Sequence, residues 1–213
     1  MTSRRRRFGL VIFAAVLAAA TFSASTGASM TVRFKGPFTL AEFVQIDQTG
    51  CVVTDVVSTG ASGRQSASGE GTSSFKEVDA FVSIINTCDP GAENTFLVCT
   101  SFPSTSANMT VDQRLTRGTA SGTMTCTDLD SGATCQMEQS ETLTGVGEVR
   151  TEQSHFHDRS GDVMVNSVFR GRTRDAQVTD ATVSGCGISM TEDDAVFGEL
   201  ESTSSLLVQV QHP

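Results

Sequence analysis

Six cysteines, all placed after an N-terminal export segment, constrain this chain more than any other feature. The sequence opens Met1-Thr-Ser-Arg-Arg-Arg-Arg7, runs through an apolar stretch over 8–20 and continues in small residues up to Ala28. A basic start, an apolar stretch and a small-residue cleavage zone spell a secretory signal peptide over residues 1–28. Cys51, Cys88, Cys99, Cys126, Cys135 and Cys186 all lie in the remainder, residues 29–213. An even set of cysteines in an exported chain reads as a disulfide framework rather than as metal ligands or redox thiols, because the compartment it enters is oxidising.

Export changes the charge of the chain. Loss of Arg4, Arg5, Arg6 and Arg7 reduces 15 Lys and Arg to eleven, against 24 Asp and Glu, and takes the formal net charge from −9 to about −13. Such a surface repels phosphate backbones and anionic lipid, so nucleic acid is not an expected partner. No later apolar run approaches the roughly 20 residues needed to span a bilayer as a helix. Thirteen Phe stand beside no Trp and no Tyr. Those two absent residues combine a large contact face with a polar handle, and without them an aromatic sugar-binding platform is disfavoured.

The remainder is rich in Thr, Ser, Val and Gly and alternates with period two far more often than with period 3.6, the mark of strands. Segment 39–47 alternates Leu40, Glu42, Val44 and Ile46 against Ala41, Phe43 and Gln45, and the turn Asp47-Gln-Thr-Gly50 leads into an apolar run at 51–57, a hairpin spelling. Residues 58–74 hold nothing apolar larger than Ala until Phe75, and read as an exposed Gly/Ser-rich flexible loop. Strands are expected at 75–86 and 95–102, one or two at 108–127, one at 134–157 interrupted at Gly145 and Gly147, and two at 163–173 and 176–184, with a faint helical pattern at 192–201 and a last strand at the C-terminus. The expected fold is all-β: a single-domain antiparallel β-sandwich or barrel over 29–213, stapled by disulfides.

The segments Asp47-x-x-Gly50-Cys51-Val-Val-Thr-Asp55-Val, Ser154-His-Phe-His157 and Phe169-Arg-Gly-Arg-Thr-Arg-Asp-Ala-Gln-Val-Thr-Asp-Ala181 resemble a loose group of uncharacterised bacterial secreted β-rich proteins. The resemblance implies one exported β-domain and carries no activity with it.

For the disulfides, Cys126 and Cys135 flank the turn at 128–133. If Thr127 pairs with Thr134, the two cysteines oppose each other across the hairpin with Cα atoms about 4.5 Å apart, near the lower limit for a bridge. Bridging elsewhere is the open alternative for both. Of the three pairings then open to the other four, Cys51 with Cys88 and Cys99 with Cys186 is the preferred reading.

His155 and His157 form the candidate metal site, since side chains two apart on a strand point the same way and a pair of imidazoles can ligate one ion. A hairpin centred on Ser160 would set His155 opposite Val165 and Thr151 opposite Phe169, a half-apolar setting for packed histidines. Its other face would carry Glu148, Arg150 and Glu152 beside Arg170, Arg172 and Arg174 as a salt-bridged solvent surface. An anion-binding arginine stripe would need those glutamates to be elsewhere. Asp128-Leu-Asp-Ser-Gly132 begins like a calcium loop but lacks its closing Glu, and reads as an Asx turn. Glu192-Asp-Asp194 reads as a solvated acidic run.

No G-x-S-x-G is present, every cysteine is expected to be bridged, and three histidines leave few routes to a serine triad, so no catalytic residue is assigned. The sequence reading is a secreted, non-enzymatic β-domain without cofactor that acts by binding a surface or an extracellular partner. The alternative is a divalent-metal protein or metal-dependent enzyme built on His155 and His157.

Overall fold

The computed structural model describes residues 30–67, 72–89, 91–101, 106–160 and 163–211, so the expected signal peptide lies outside the described residues. They form β1 (Met30–Ile46), β2 (Val52–Ala67), β3 (Thr72–Asn86), β4 (Thr95–Thr100), β5 (Asn108–Val111), β6 (Arg117–Asp128), β7 (Thr134–Gly145), β8 (Arg150–Ser160), β9 (Val163–Gly185), β10 (Ile188–Thr191) and β11 (Ala195–Gln211). All pairings are antiparallel, within one sheet.

Successive pairings run β1, β2, β3, β4, β6, β7, β9, β11 and back to β1, which closes the sheet into an eight-stranded barrel. Closure leaves no free edge around the ring, and a ring of eight strands is just wide enough to be filled by side chains. Alternate residues do fill it: Ala41 and Phe43 of β1, Val78, Ala80 and Val82 of β3, Met124 of β6, and Met137 and Leu143 of β7 are buried. The fit leaves little slack, since a Cβ added at Gly60 would lie 2.6 Å from both the Ala120 Cβ and the Thr39 Oγ1.

One acid sits inside this interior. Glu141 accepts hydrogen bonds from the Ser58 hydroxyl at 2.7 Å, the Gln139 amide at 3.0 Å and the Thr39 hydroxyl at 3.1 Å. Those partners meet the requirement that a buried polar group be hydrogen-bonded. Burial still pushes its carboxyl up to about 6.

The barrel occupies only part of the longest strands. The N-terminal half of β1, the C-terminal halves of β2 and β11 and the N-terminal halves of β3 and β9 run on past the ring, with β8 added along β9. The outcome is a six-stranded extension in the order β3, β2, β1, β11, β9, β8. Where the sequence predicted a loop at 58–74, β2 continues to Ala67 and β3 begins at Thr72. Small polar residues bury little, but they complete a ladder between two strands already paired along their apolar halves. The two strands expected at 163–173 and 176–184 are one 23-residue strand. Of the faint helix at 192–201 only a single 3-10 turn forms, Glu192–Asp194, before β11 begins.

The disulfides are Cys51–Cys88, Cys99–Cys126 and Cys135–Cys186, and no described cysteine is free. The first is the expected pair; the other two correct the sequence reading. The hairpin register is as expected, with Thr127 opposite Thr134 and Cys126 opposite Cys135. Each of these cysteines nonetheless turns to its other neighbour. Cys99 lies opposite Cys126 across the β4–β6 pair, and the β9–β10 turn brings Cys186 beside the start of β7. A strand has two edges, and a local turn argument sees only one of them. Cys99 and Cys126 are buried, whereas Cys135 and Cys186 are half-buried and Cys88 is exposed. Under limiting reductant, trapping by alkylation and mass mapping should therefore find Cys51, Cys88, Cys135 and Cys186 labelled well before Cys99 and Cys126; early labelling of the buried pair would contradict the packing around β4.

Candidate functional site

The site follows from side-chain parity on the extension. Across an antiparallel sheet, directly opposed residues share a face and successive residues alternate. One cross-strand row reads Arg150, Thr173, Glu201, Phe38, Ala61, Glu77, and the row beyond the neighbouring one reads Ser154, Phe169, Leu206, Phe34, Gln65, Ser73. This face buries Phe34, Phe38, Phe169 and Leu206, with the Phe34 ring 4.5 Å from that of Phe38 and 5.2 Å from that of Phe75. It also carries the acids of the extension.

The opposite face, continuous with the barrel interior, carries the cations. Its rows pass through Arg172 and Lys76, then Arg170, Lys35 and Arg64, then Arg33. All six are exposed. Among the described residues, Arg33, Lys35, Arg64, Lys76 and Arg170 make no side-chain hydrogen bond or ion pair, and no carboxylate lies on that face; both described ion pairs belong to Arg150 on the other side. Lys35 and Arg64 stand directly opposite one another, a like-charge arrangement that destabilises a strand pair.

At the base of this face the β5–β6 loop closes the barrel. Asp112 accepts hydrogen bonds from the Thr116 hydroxyl and the Arg114, Thr116 and Arg117 backbone N–H groups, which hold its carboxyl down at about 2 and fix the loop. Leu115, fully buried, fills the end of the barrel. Arg172 donates to the Gln113 carbonyl at 2.9 Å, and Arg174 to the carbonyls of Leu115 at 3.4 Å and Gly147 at 3.1 Å. Arg114 and Arg117, both exposed, extend the positive region onto this loop.

The register of the β8–β9 hairpin overturns one expectation. His155 lies opposite Val168 rather than Val165, and Thr151 opposite Arg172 rather than Phe169, because Ser160 pairs with Val163 across the two residues between them. The pairing is displaced by three residues, an odd number, so the two faces of one strand are exchanged relative to those of the other. Arg150 and Glu152 fall on the apolar face, where Arg150 makes a bidentate pair with Asp175 at 2.7 Å, while Arg170 and Arg172 fall on the other. The condition for an arginine stripe, glutamates placed elsewhere, is thus met. The spelling Gly161-Asp162, suited to a two-residue hairpin loop, was the available signal.

His155 and His157 are both exposed on the cationic face. His155 Nε2 contacts the Gln153 amide at 3.2 Å and His157 Nδ1 contacts the Asn166 side chain. No acid or third histidine joins them among the described residues, and the nearest charges on that face are cations, an unfavourable setting for a divalent ion. Among the described residues, the one group of three or more potential ligand atoms within 4.8 Å of each other is Cys126, Cys135 and Cys186, all of which are disulfide-bonded. Asp128 forms the expected Asx turn, accepting from the Asp130 and Ser131 N–H groups and the Ser131 hydroxyl. Glu192, Asp193 and Asp194 lie at the end of the barrel away from the extension.

Sequence reasoning missed Arg33, Lys35, Arg64 and Lys76. They were legible only as Arg33-x-Lys35 alternating with Phe34 and as a lone Arg64 in an assumed loop. No protein-family model and no curated protein matches the chain. Among the described residues, no helix is long and apolar enough to cross a membrane.

The acids of the apolar face make stability pH-dependent. Burial pushes Glu201 up to about 8, with the Glu199 and Glu152 charges adding to it, while burial and Asp79 push Glu77 up to about 7, and burial raises Asp79 to about 6. A carboxyl whose folded value is raised binds more protons folded than unfolded, so stability is highest below the unfolded value and is lost as pH rises through the folded one. Unfolding free energy should therefore fall between about pH 5 and pH 8, and Glu201→Gln should flatten the fall by on the order of 2 kcal/mol, the residual solvent contact of a partly buried side chain cutting the full linkage value. Denaturant melts across that range check this; stability rising with pH would contradict the burial of these acids.

Proposed function

We propose that this chain is an exported, non-enzymatic β-barrel that acts by binding an anionic partner on the cationic face of its extension. One observation carries the reading: with 24 acids against 15 cations in the whole chain, six cations share one sheet face that holds no carboxylate among the described residues. Random placement on an acidic surface would intersperse acids among them, and folding stability alone would favour a carboxylate beside the opposed Lys35 and Arg64. Unpaired like charges held together are what an anion-binding surface requires, because an arriving anion then meets donors not already neutralised.

Three disulfides fit an oxidising compartment, and they support the export that the N-terminal sequence suggests. All three lie in the barrel, toward the end remote from the extension, and leave the cationic face unobstructed. An acidic protein with mixed surface charge flows through a cation exchanger at neutral pH. This protein is expected to be retained on a sulfonate matrix at low salt and to elute as salt screens the face. The Arg170→Ser, Lys35→Ser double variant should flow through; failure of the unaltered protein to bind would remove the basis of the reading.

A further inference from the structure

Resting on that anion-binding reading, we propose that the partner is a linear acidic polysaccharide, carrying carboxylate or sulfate groups, laid across the extension from β3 to β9. The cations lie on β3, β2, β1 and β9, which with β11 between the last two span five adjacent strands, and on three successive rows. At about 4.8 Å between strands and about 3.3 Å per residue along them, that is a strip of about 19 by 13 Å. Their register positions are spread across the sheet rather than gathered on one turn or helix end, where a single phosphate is usually held. The dimensions of the strip suit several charges spaced along a chain.

The residues between the cations favour a hydroxyl-rich ligand. Ser62, Ser74, Ser202, Ser205, Thr151 and Gln153 lie on the same rows as the cations. Such side chains donate and accept hydrogen bonds with sugar hydroxyls. Four of the six cations are arginines, whose planar fork matches a carboxylate or sulfate bidentately. Single-stranded nucleic acid draws much of its affinity from bases stacked on aromatic rings, yet the chain has no Trp or Tyr and the Phe residues described on the extension lie on its other face. A bulky acidic partner, whether a duplex, a folded acidic protein or a second copy of this chain, would bring its own charge against the acids covering the rest of the molecule. A thin flexible chain touches the strip alone.

The test uses the full exported protein and titrates, by calorimetry or fluorescence anisotropy, heparin-derived and polygalacturonate oligosaccharides of increasing length. Neutral dextran, inorganic polyphosphate and a single-stranded oligonucleotide serve as comparators. Affinity for the acidic oligosaccharides is expected to rise with length until the strip is filled and to weaken at least about tenfold as salt is raised from low to physiological strength. The Arg33→Ser, Arg64→Ser variant should lose at least about tenfold, whereas Asp193→Asn, at the far end of the barrel, should bind as the unaltered protein does. All three substitutions replace exposed side chains, and intact disulfides by mass confirm that each variant is folded.

Tighter binding of polyphosphate or of the oligonucleotide than of the oligosaccharides would overturn the polysaccharide assignment while leaving an anion-binding face in place. So would equal binding of neutral dextran, or salt-sensitive self-association by sedimentation that the Arg33→Ser, Arg64→Ser variant abolishes. If no anion binds and the sulfonate matrix does not retain the protein, both this assignment and the broader reading fail.

Discussion

Strand β9 is the element on which the rest of the structure depends, because it is paired along both edges over most of its 23 residues. On one edge β8 and then β7 pair with it, and on the other β11 and then β10. Its second half closes the barrel against β7, and its first half carries the extension between β8 and β11. One continuous strand thereby holds a packed interior and an open sheet in a single register. Its inward-facing positions pass from Ala176 and Val178 in the barrel to Arg174 at the plug and Arg172 and Arg170 beyond it.

That continuity separates the charges. The same side of the sheet that is apolar where the ring encloses it becomes cationic where the ring opens, because the period of two persists across both regions. The reverse side buries phenylalanines and holds carboxylates raised by desolvation, Glu77 and Glu201 among them. At the other end of the barrel, Asp47, Asp89, Asp128, Asp130 and Glu192–Asp194 gather in the exposed turns near the disulfides. The molecule is acidic overall and cationic on one face, which net charge alone conceals.

Several features were readable in the chain. The alternation at 39–47 matches the inward Ala41 and Phe43, the turns at Asp47 and Asp128 form as their Asx chemistry suggests, and the break at Gly145 separates β7 from β8. These are local signals, each set within a few residues. Residues 58–67 misled because composition reports what a segment can bury alone, whereas their place in β2 is fixed by β1 and β3 on either side.

By itself the sequence determined the all-β class, the positions of most strands and which residues within a strand share a face, since strand propensity, turn chemistry and period-two alternation act over short distances. Only the tertiary structure decided which strands lie side by side and in what register. A displacement of three residues in the β8–β9 hairpin moved Glu152 and Arg170 to opposite faces, and second-edge neighbours drew Cys126 to Cys99 and Cys135 to Cys186. The cationic face assembles Arg33, Lys35, Arg64, Lys76, Arg170 and Arg172 from positions up to 139 apart in the chain, as the numbers of Arg33 and Arg172 show. Parity is local, but pairing is set by closure of the whole barrel, and that closure is where the candidate site came into being.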